Sequence, residues 1–236
     1  MLFRSNDVES IHPGLWRGSQ LGGGRTRVVT CGNASLATEL PGGGWPQGTL
    51  TDLLLQQPGC GEIRLLRPAL GELEGRPVML LQPPHRVQPA AFAWWGLAAE
   101  NVSVLRAGKT ADALWAAEQV LRAGTCAALV FWQSHVRPES LRRLHLAAQS
   151  ADTLFFMVRP LAVASDASPA PLRLAIRPAR GGVNVEFVKR RGPRRDEPLF
   201  VPLTPSPILN VNRHATLDRR PSPVVVPRSV PAEVVL

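Results

Sequence analysis

The chain is poor in cysteine, in long apolar runs and in lysine, and each scarcity narrows what it can be. Its 3 cysteines, Cys31, Cys60 and Cys126, stand far apart, with no CxxC pair and no histidine at ligand spacing. That pattern supports neither a disulfide framework nor a zinc site, and it leaves the thiols as small buried hydrophobes. The longest uncharged apolar runs, such as CAALVFW at 126–132, fall far short of the roughly 18 to 20 residues needed to cross a bilayer. The N-terminal segment MLFRSNDVES lacks the apolar core of a signal peptide. The expectation is a soluble cytoplasmic protein without a membrane partner. His12, His85, His135, His145 and His214 are scattered and have no Asp and Ser arranged with them, so a hydrolase triad has no support. No catalytic residue, metal ligand or cofactor is expected.

What is present suffices for a sizeable core: 236 residues, 44% of them hydrophobic, fit one domain of ordinary to large size with extensions. The net charge of +9 is unevenly placed. Residues 1–136 carry 11 basic and 10 acidic side chains, whereas residues 137–236 carry 16 and 8. A half with this surplus points to an anionic partner, nucleic acid first and an anionic protein surface second. Only Lys109 and Lys189 are lysines among the 27 basic residues, a skew that GC-rich coding produces without selection for binding. The charge therefore carries the inference and the arginine preference does not.

Periodicity divides the chain into three parts. Residues 1–29 read as an N-terminal arm: a short helix over 7–21, with Leu15 and Trp16 on its apolar side, then a hinge at Gly22, Gly23 and Gly24. Residues 30–203 read as an α/β core. Strands are expected at 49–56, 77–82, 102–107, 126–132 and 153–158, separated by amphipathic helices. The helix 110–124 has Thr110 as expected N-cap, Ala113, Leu114, Ala117, Val120 and Leu121 on one face, and Gly124 as its stop. The helix 137–151 repeats the scheme with Leu141, Leu144 and Ala148. Near-continuous apolar strands separated by helices imply a mostly parallel sheet covered on both faces, because parallel strands need crossover connections. A β-hairpin follows, 171–178 and 183–191 about the turn 180–182, with Leu172, Leu174 and Ile176 facing one side and Arg173 and Arg177 the other. Residues 204–236, rich in Pro and Arg, read as a disordered extended tail. No internal repeat is present.

The stretch 30–66 is the most informative. A turn at Gly42, Gly43 and Gly44, with Pro46 and Gly48 after it, leads into a buried strand, then a tight PGCG turn, then a helix. That order resembles the RecA-like core, whose first strand runs into a phosphate-binding loop GxxxxGK followed by Ser or Thr. With Gly61 aligned to the last glycine, the resemblance gives a degenerate loop: Gln56 replaces the first glycine, Gly59, Cys60 and Gly61 make the turn, Glu62 replaces the lysine and Ile63 the hydroxyl residue. Such a loop works because backbone N–H groups and an ammonium neutralise phosphate oxygens while the hydroxyl ligates Mg²⁺. Glu62 puts negative charge there instead, and Ile63 binds no metal. The same alignment puts Pro84 where a glutamate would activate water and Trp132 where an aspartate would organise Mg²⁺. The resemblance thus implies a protein that does not hydrolyse ATP.

Over roughly residues 7–203 the likeness is closer. HPGLWRGSQL, LPGGGWPQGTLTDLL, GCGEIRLLRPAL, ADALWAAEQVLRAG, LRRLHLAAQ and SPAPLRLAIRPARGGVNVEFVKRRGP, in that order and spacing, resemble the ImuA family of bacterial translesion-synthesis-associated proteins. The resemblance implies an accessory role in SOS-induced mutagenesis. Its implied partners are an ImuB-like inactive Y-family polymerase and an error-prone C-family DNA polymerase, with self-association through the N-terminal arm. Members of the family are sometimes labelled cell-division inhibitors of the SulA type, so inhibition by protein binding is the alternative. An active RecA-like ATPase is a third reading, opposed by Glu62, Pro84 and Trp132. Two further sets of residues are candidates. Arg173, Arg177, Lys189, Arg190, Arg191, Arg194 and Arg195 belong to a basic stretch, 173–195, suited to DNA phosphates without sequence preference. Phe187 is the one aromatic in that stretch that could stack a base. Leu15, Trp16, Trp94 and Trp95 are candidate partner contacts.

Overall fold

Seven consecutive buried residues, Thr49–Leu55 (β3), form the centre of the fold, as expected of a parallel strand covered on both faces. The computed structural model describes residues 27–204 except 74, 95 and 194. The arm residues Leu15 and Trp16, Trp95, Arg194 and the tail therefore lie outside the described residues.

Ahead of β3 come a short strand Val28–Thr30 (β1), a helix Ala34–Glu39 (α1) and a strand Gly44–Pro46 (β2), with β1 and β2 paired antiparallel. Glu62–Gly71 (α2) follows β3, and then Val78–Leu81 (β4), Pro89–Trp94 (α3) and Val102–Leu105 (β5). Thr110–Ala123 (α4), Ala128–Trp132 (β6), Pro138–Ala148 (α5) and Leu154–Pro160 (β7) complete the crossovers. The chain then forms Leu172–Ala179 (β8), Gly182–Lys189 (β9) and Leu199–Pro202 (β10). One mixed sheet of eight strands results, in the order β10-β9-β8-β3-β7-β6-β4-β5. It is parallel from β8 to β5, and β8, β9 and β10 are joined antiparallel.

Each face of the sheet has its own core. Leu36, Leu65, Leu66, Leu70 and Phe92 from α1, α2 and α3 pack on one face, together with Trp45, whose ring meets Phe156 edge to face at 5.4 Å. Leu114, Leu121, Leu141 and Leu144 from α4 and α5 pack on the other, over Phe131 and Phe155. The apolar stripes read from the sequence are the ones buried, with Val120 half-buried at the margin. Leu66 is fully buried, so its truncation to Ala would cost about 2–5 kcal/mol.

Two expectations need correction, and two features are additional to them. Lys109, with extended backbone, is the N-cap of α4 and makes no side-chain cap, so Thr110 is the first helical residue. Arg173 does not face solvent: β8 lies beside the central strand, and its first five residues are buried on both faces. Glu118 is buried on the inner side of α4 because Arg122 and Arg143 bond its two oxygens at 2.7 and 2.8 Å. The hairpin is also not the end of the sheet, since β10 adds a further strand along β9. Among the described residues no helix is long and apolar enough to cross a membrane, and the three cysteines are buried and free.

Candidate phosphate-loop site and basic hairpin

The parallel strands end along one edge of the sheet, where ligands of such folds bind. There the chain leaves β3 through exposed Gln56, Gln57, Pro58 and Gly59, then turns inward at buried Cys60, Gly61 and Glu62. Gly59 and Gly61 have φ of 82° and 118°, a region that favours glycine. Gly61 is doubly constrained, because a Cβ there would lie 2.8 Å from Leu203 Cδ1. The turn aims its N–H groups into the loop, where the resemblance to a RecA-like core leads one to expect a phosphate cradle.

That cradle already holds an anion. Glu62, the first residue of α2, is only 3% exposed. Its carboxylate folds back: Oε1 accepts from the Gly59 N–H at 2.9 Å and Oε2 from the Gly61 N–H at 3.2 Å. Trp132, at the end of β6, adds an indole N–H donated to Oε1 at 3.4 Å. Two residues that the resemblance sets at separate positions of an ATPase site are thus bonded to each other. The helix N-terminus favours negative charge, and here the charge is the protein's own. A phosphate brought to the same N–H groups would meet Glu62 at roughly 4 Å, a repulsion of about 4 kcal/mol at an effective dielectric of about 20. Ile63 packs against the core and offers no oxygen.

The buried end of the loop also shapes its neighbours. Burial, with the nearby Glu62 charge second, pushes the Cys60 thiol up to about 11. Trp132 and Pro84 both line two adjoining clefts, of about 230 Å³ and about 330 Å³. The larger is walled by Ile63, Leu80, Val87 and Phe92, with Arg64 and Arg86 also lining it. Among the described residues no group of three His, Cys, Asp or Glu side chains is placed to hold a metal ion.

A second charged centre lies deeper and was not anticipated. Asp52, in the middle of β3, is fully buried. Arg159 of β7 grips it through Nε at 3.1 Å and Nη2 at 2.6 Å, Arg173 donates Nε at 3.1 Å, and Ser168 donates its hydroxyl at 2.8 Å. Arg173 also donates to the carbonyls of Val163, Ala164 and Asp166, each at 3.0 Å, and so ties down the segment after β7. A charged residue inside an otherwise apolar strand, TLTDLLL, was the available signal, because a buried carboxylate needs partners.

The basic stretch divides by face. Arg173 is withdrawn into the Asp52 cluster and cannot meet DNA, which corrects its assignment. Arg190 and Arg195 are bonded to Glu39 of α1 at 2.5 and 2.6 Å. Arg190 also lies 4.8 Å over the Phe187 ring. The Arg190 hydrogen bond holds the Glu39 carboxyl below its usual range, against a desolvation that alone would raise it. Arg177 pairs with Glu186 at 2.9 Å but keeps 42% of its side chain exposed, and Lys189 and Arg191 are exposed. The six described candidates therefore do not form one surface. Trp94 ends α3, on a different part of the chain from the hairpin.

Compared with protein-family models and with curated proteins, this sequence matches none.

Proposed function

We propose that this chain is a non-catalytic accessory protein of SOS-induced translesion DNA synthesis. In this reading a RecA-like scaffold joins an ImuB-like inactive Y-family polymerase and an error-prone C-family polymerase. The observation that carries the non-catalytic part is the Glu62 carboxylate, which occupies the N–H groups of Gly59 and Gly61. Support for a RecA-like scaffold comes from the parallel sheet with β3 at its centre, entered from a glycine turn and left through a glycine loop into α2. The translesion assignment rests on the order and spacing of the quoted motifs.

Such a scaffold works by surfaces. Two clefts with no phosphate-binding lysine in the loop, and a second buried charge cluster that fixes the segment after β7, describe a rigid body with little left to turn over. The test is co-purification of the full chain with each polymerase partner, expressed separately. Stoichiometric complex with the Y-family relative is the expected result. Failure to bind either polymerase, with tight binding to a cell-division protein instead, would replace this reading by the inhibitor one.

A further inference from the structure

The layer of α4 and α5 carries the two most exposed large apolar side chains among the described residues, Trp115 at 63% and Leu146 at 58%. Packing on the sheet does not require them there. Trp115 stands two residues before buried Ala117, and Leu146 two residues after buried Leu144. Two residues are about 200° of helical turn, so both side chains point away from the core. Nor are they scattered singly. Glu118 of α4 bonds Arg143 of α5 as well as Arg122 of its own helix. Trp115 lies one turn before Glu118, and Leu146 one turn after Arg143, on the same sides of their helices. Both helices return between parallel strands over one face of the sheet and so run in the same direction. The apolar pair therefore flanks this clamp, about 9 Å apart along the helix axes from the helical rise.

We infer that the groove between α4 and α5 docks an acidic amphipathic helix of a partner protein, whose apolar side chains meet Trp115 and Leu146 and whose carboxylates meet Arg122, Arg142 and Arg143. Three observations select that occupant. The charge around the apolar pair is three exposed guanidiniums against one carboxylate, Glu118, that is buried. The exposed acids of this layer, Asp112 and Glu139, lie in the first helical turns, where the helix N-termini favour them. Arg122 and Arg143 are already held by Glu118, so less side-chain freedom is lost on binding. Trp and Arg are also the residues that most often carry the energy of a protein interface. The spacing suits a helix: residues seven apart are about 10.5 Å apart along its axis, and a helix packs into the groove that two others make. Nucleic acid fits less well, because Leu146 has no ring for a base to stack on, and Asp112 and Glu139 oppose phosphate at the helix starts.

This inference rests on the reading of the chain as a protein-binding scaffold and gives that reading its surface. The experiment is biolayer interferometry of the full chain against the Y-family relative, the C-family polymerase and the cell-division protein of the alternative reading. Trp115→Ala should weaken whichever complex forms by about 30-fold, the loss of one central Trp contact. Arg142→Glu should weaken it more at low salt than at high salt, because that loss is electrostatic. Trp115→Phe should bind more tightly than Trp115→Ala, and melting temperatures equal to the wild type's check the fold of each variant. A polymerase complex that Trp115→Ala leaves unchanged would overturn the docking site and leave the scaffold reading standing. Wild-type affinity in Arg142→Glu would contradict the acidic partner. A complex with the cell-division protein alone, weakened by both variants, would keep the docking site and replace the scaffold reading. No complex with any of the three would overturn both. Two further results would overturn the docking of a partner protein. Labelled oligothymidine bound by the wild type and lost in Trp115→Ala would assign the groove to nucleic acid, and a wild-type dimer that Trp115→Ala dissociates would assign it to a second copy of this chain.

Discussion

Glu62 is the residue on which the loop turns, and Cys60 reports its charge. The thiol is raised to about 11, by burial first and by Glu62 second. Alkylation of Cys60 by iodoacetamide in the native protein should therefore be slow below that pH. Glu62→Gln should move the midpoint of its pH–rate profile downward, and an unchanged or higher midpoint would contradict the coupling. Asp52 makes the other strong residue-scale claim. Asp52→Asn leaves the buried guanidiniums of Arg159 and Arg173 without their counter-charge, and breaking a buried ion pair costs about 3–5 kcal/mol. Urea denaturation should show that loss as a fall in midpoint at unchanged m-value. The leucine beside it is legible from sequence as core, whereas the partners of Asp52 are not: Arg159 and Arg173 lie more than a hundred residues away and converge only when β3 pairs with both β7 and β8.

Among the elements, α2, α4, α5 and the strands β3 to β9 are readable because their apolar spacing is a local property, whereas the six-residue α1 is not. The strands β1, β2 and β10 are not legible because VVT, GWP and LFVP are broken by Thr, Gly or Pro, unlike the equally short but wholly apolar VMLL of β4, and pairing makes them strands. For the same reason the sequence shows Phe187 as the aromatic of the basic hairpin, although β10 brings Phe200 opposite Asn184 and Arg190 covers Phe187. The contact between α1 and the segment after β9 was equally invisible. Because Glu39 holds Arg190 and Arg195, changing both to Ser should lower the thermal midpoint and leave the salt slope of DNA binding nearly unchanged. A slope flattened by more than about 1 would show that they contact phosphate. Helix α5 carries a pH dependence. Burial, and then the charge of Lys189, lowers the His145 pKa below its ordinary value of 6.5, and the Nδ1 atom accepts from the Leu50 N–H at 3.4 Å. The native state thus binds this proton less readily than the unfolded chain does. The stability from His145 is complete above pH 6.5 and is lost as the pH falls through the folded value. Thermal melts across that window should fall more steeply for the wild type than for His145→Gln; parallel curves would exclude the contribution.

At the scale of the molecule, an eight-stranded α/β sheet carries at its strand ends a loop whose Gly59 and Gly61 N–H groups are taken by the Glu62 carboxylate. This arrangement is half-legible: the resemblance to a RecA-like core sets Glu62 and Trp132 at two positions of an ATPase site, but does not show that one bonds the other. The central claim, that the loop does not take a nucleotide, is tested most directly by titrating the full chain with a fluorescent ATP analogue in the presence of Mg²⁺. The account predicts no saturable binding up to about 1 mM, since about 4 kcal/mol of repulsion lowers affinity about 1,000-fold, and a measurable gain in Glu62→Gln. Saturable micromolar binding by the wild type, no tighter in Glu62→Gln, would contradict it.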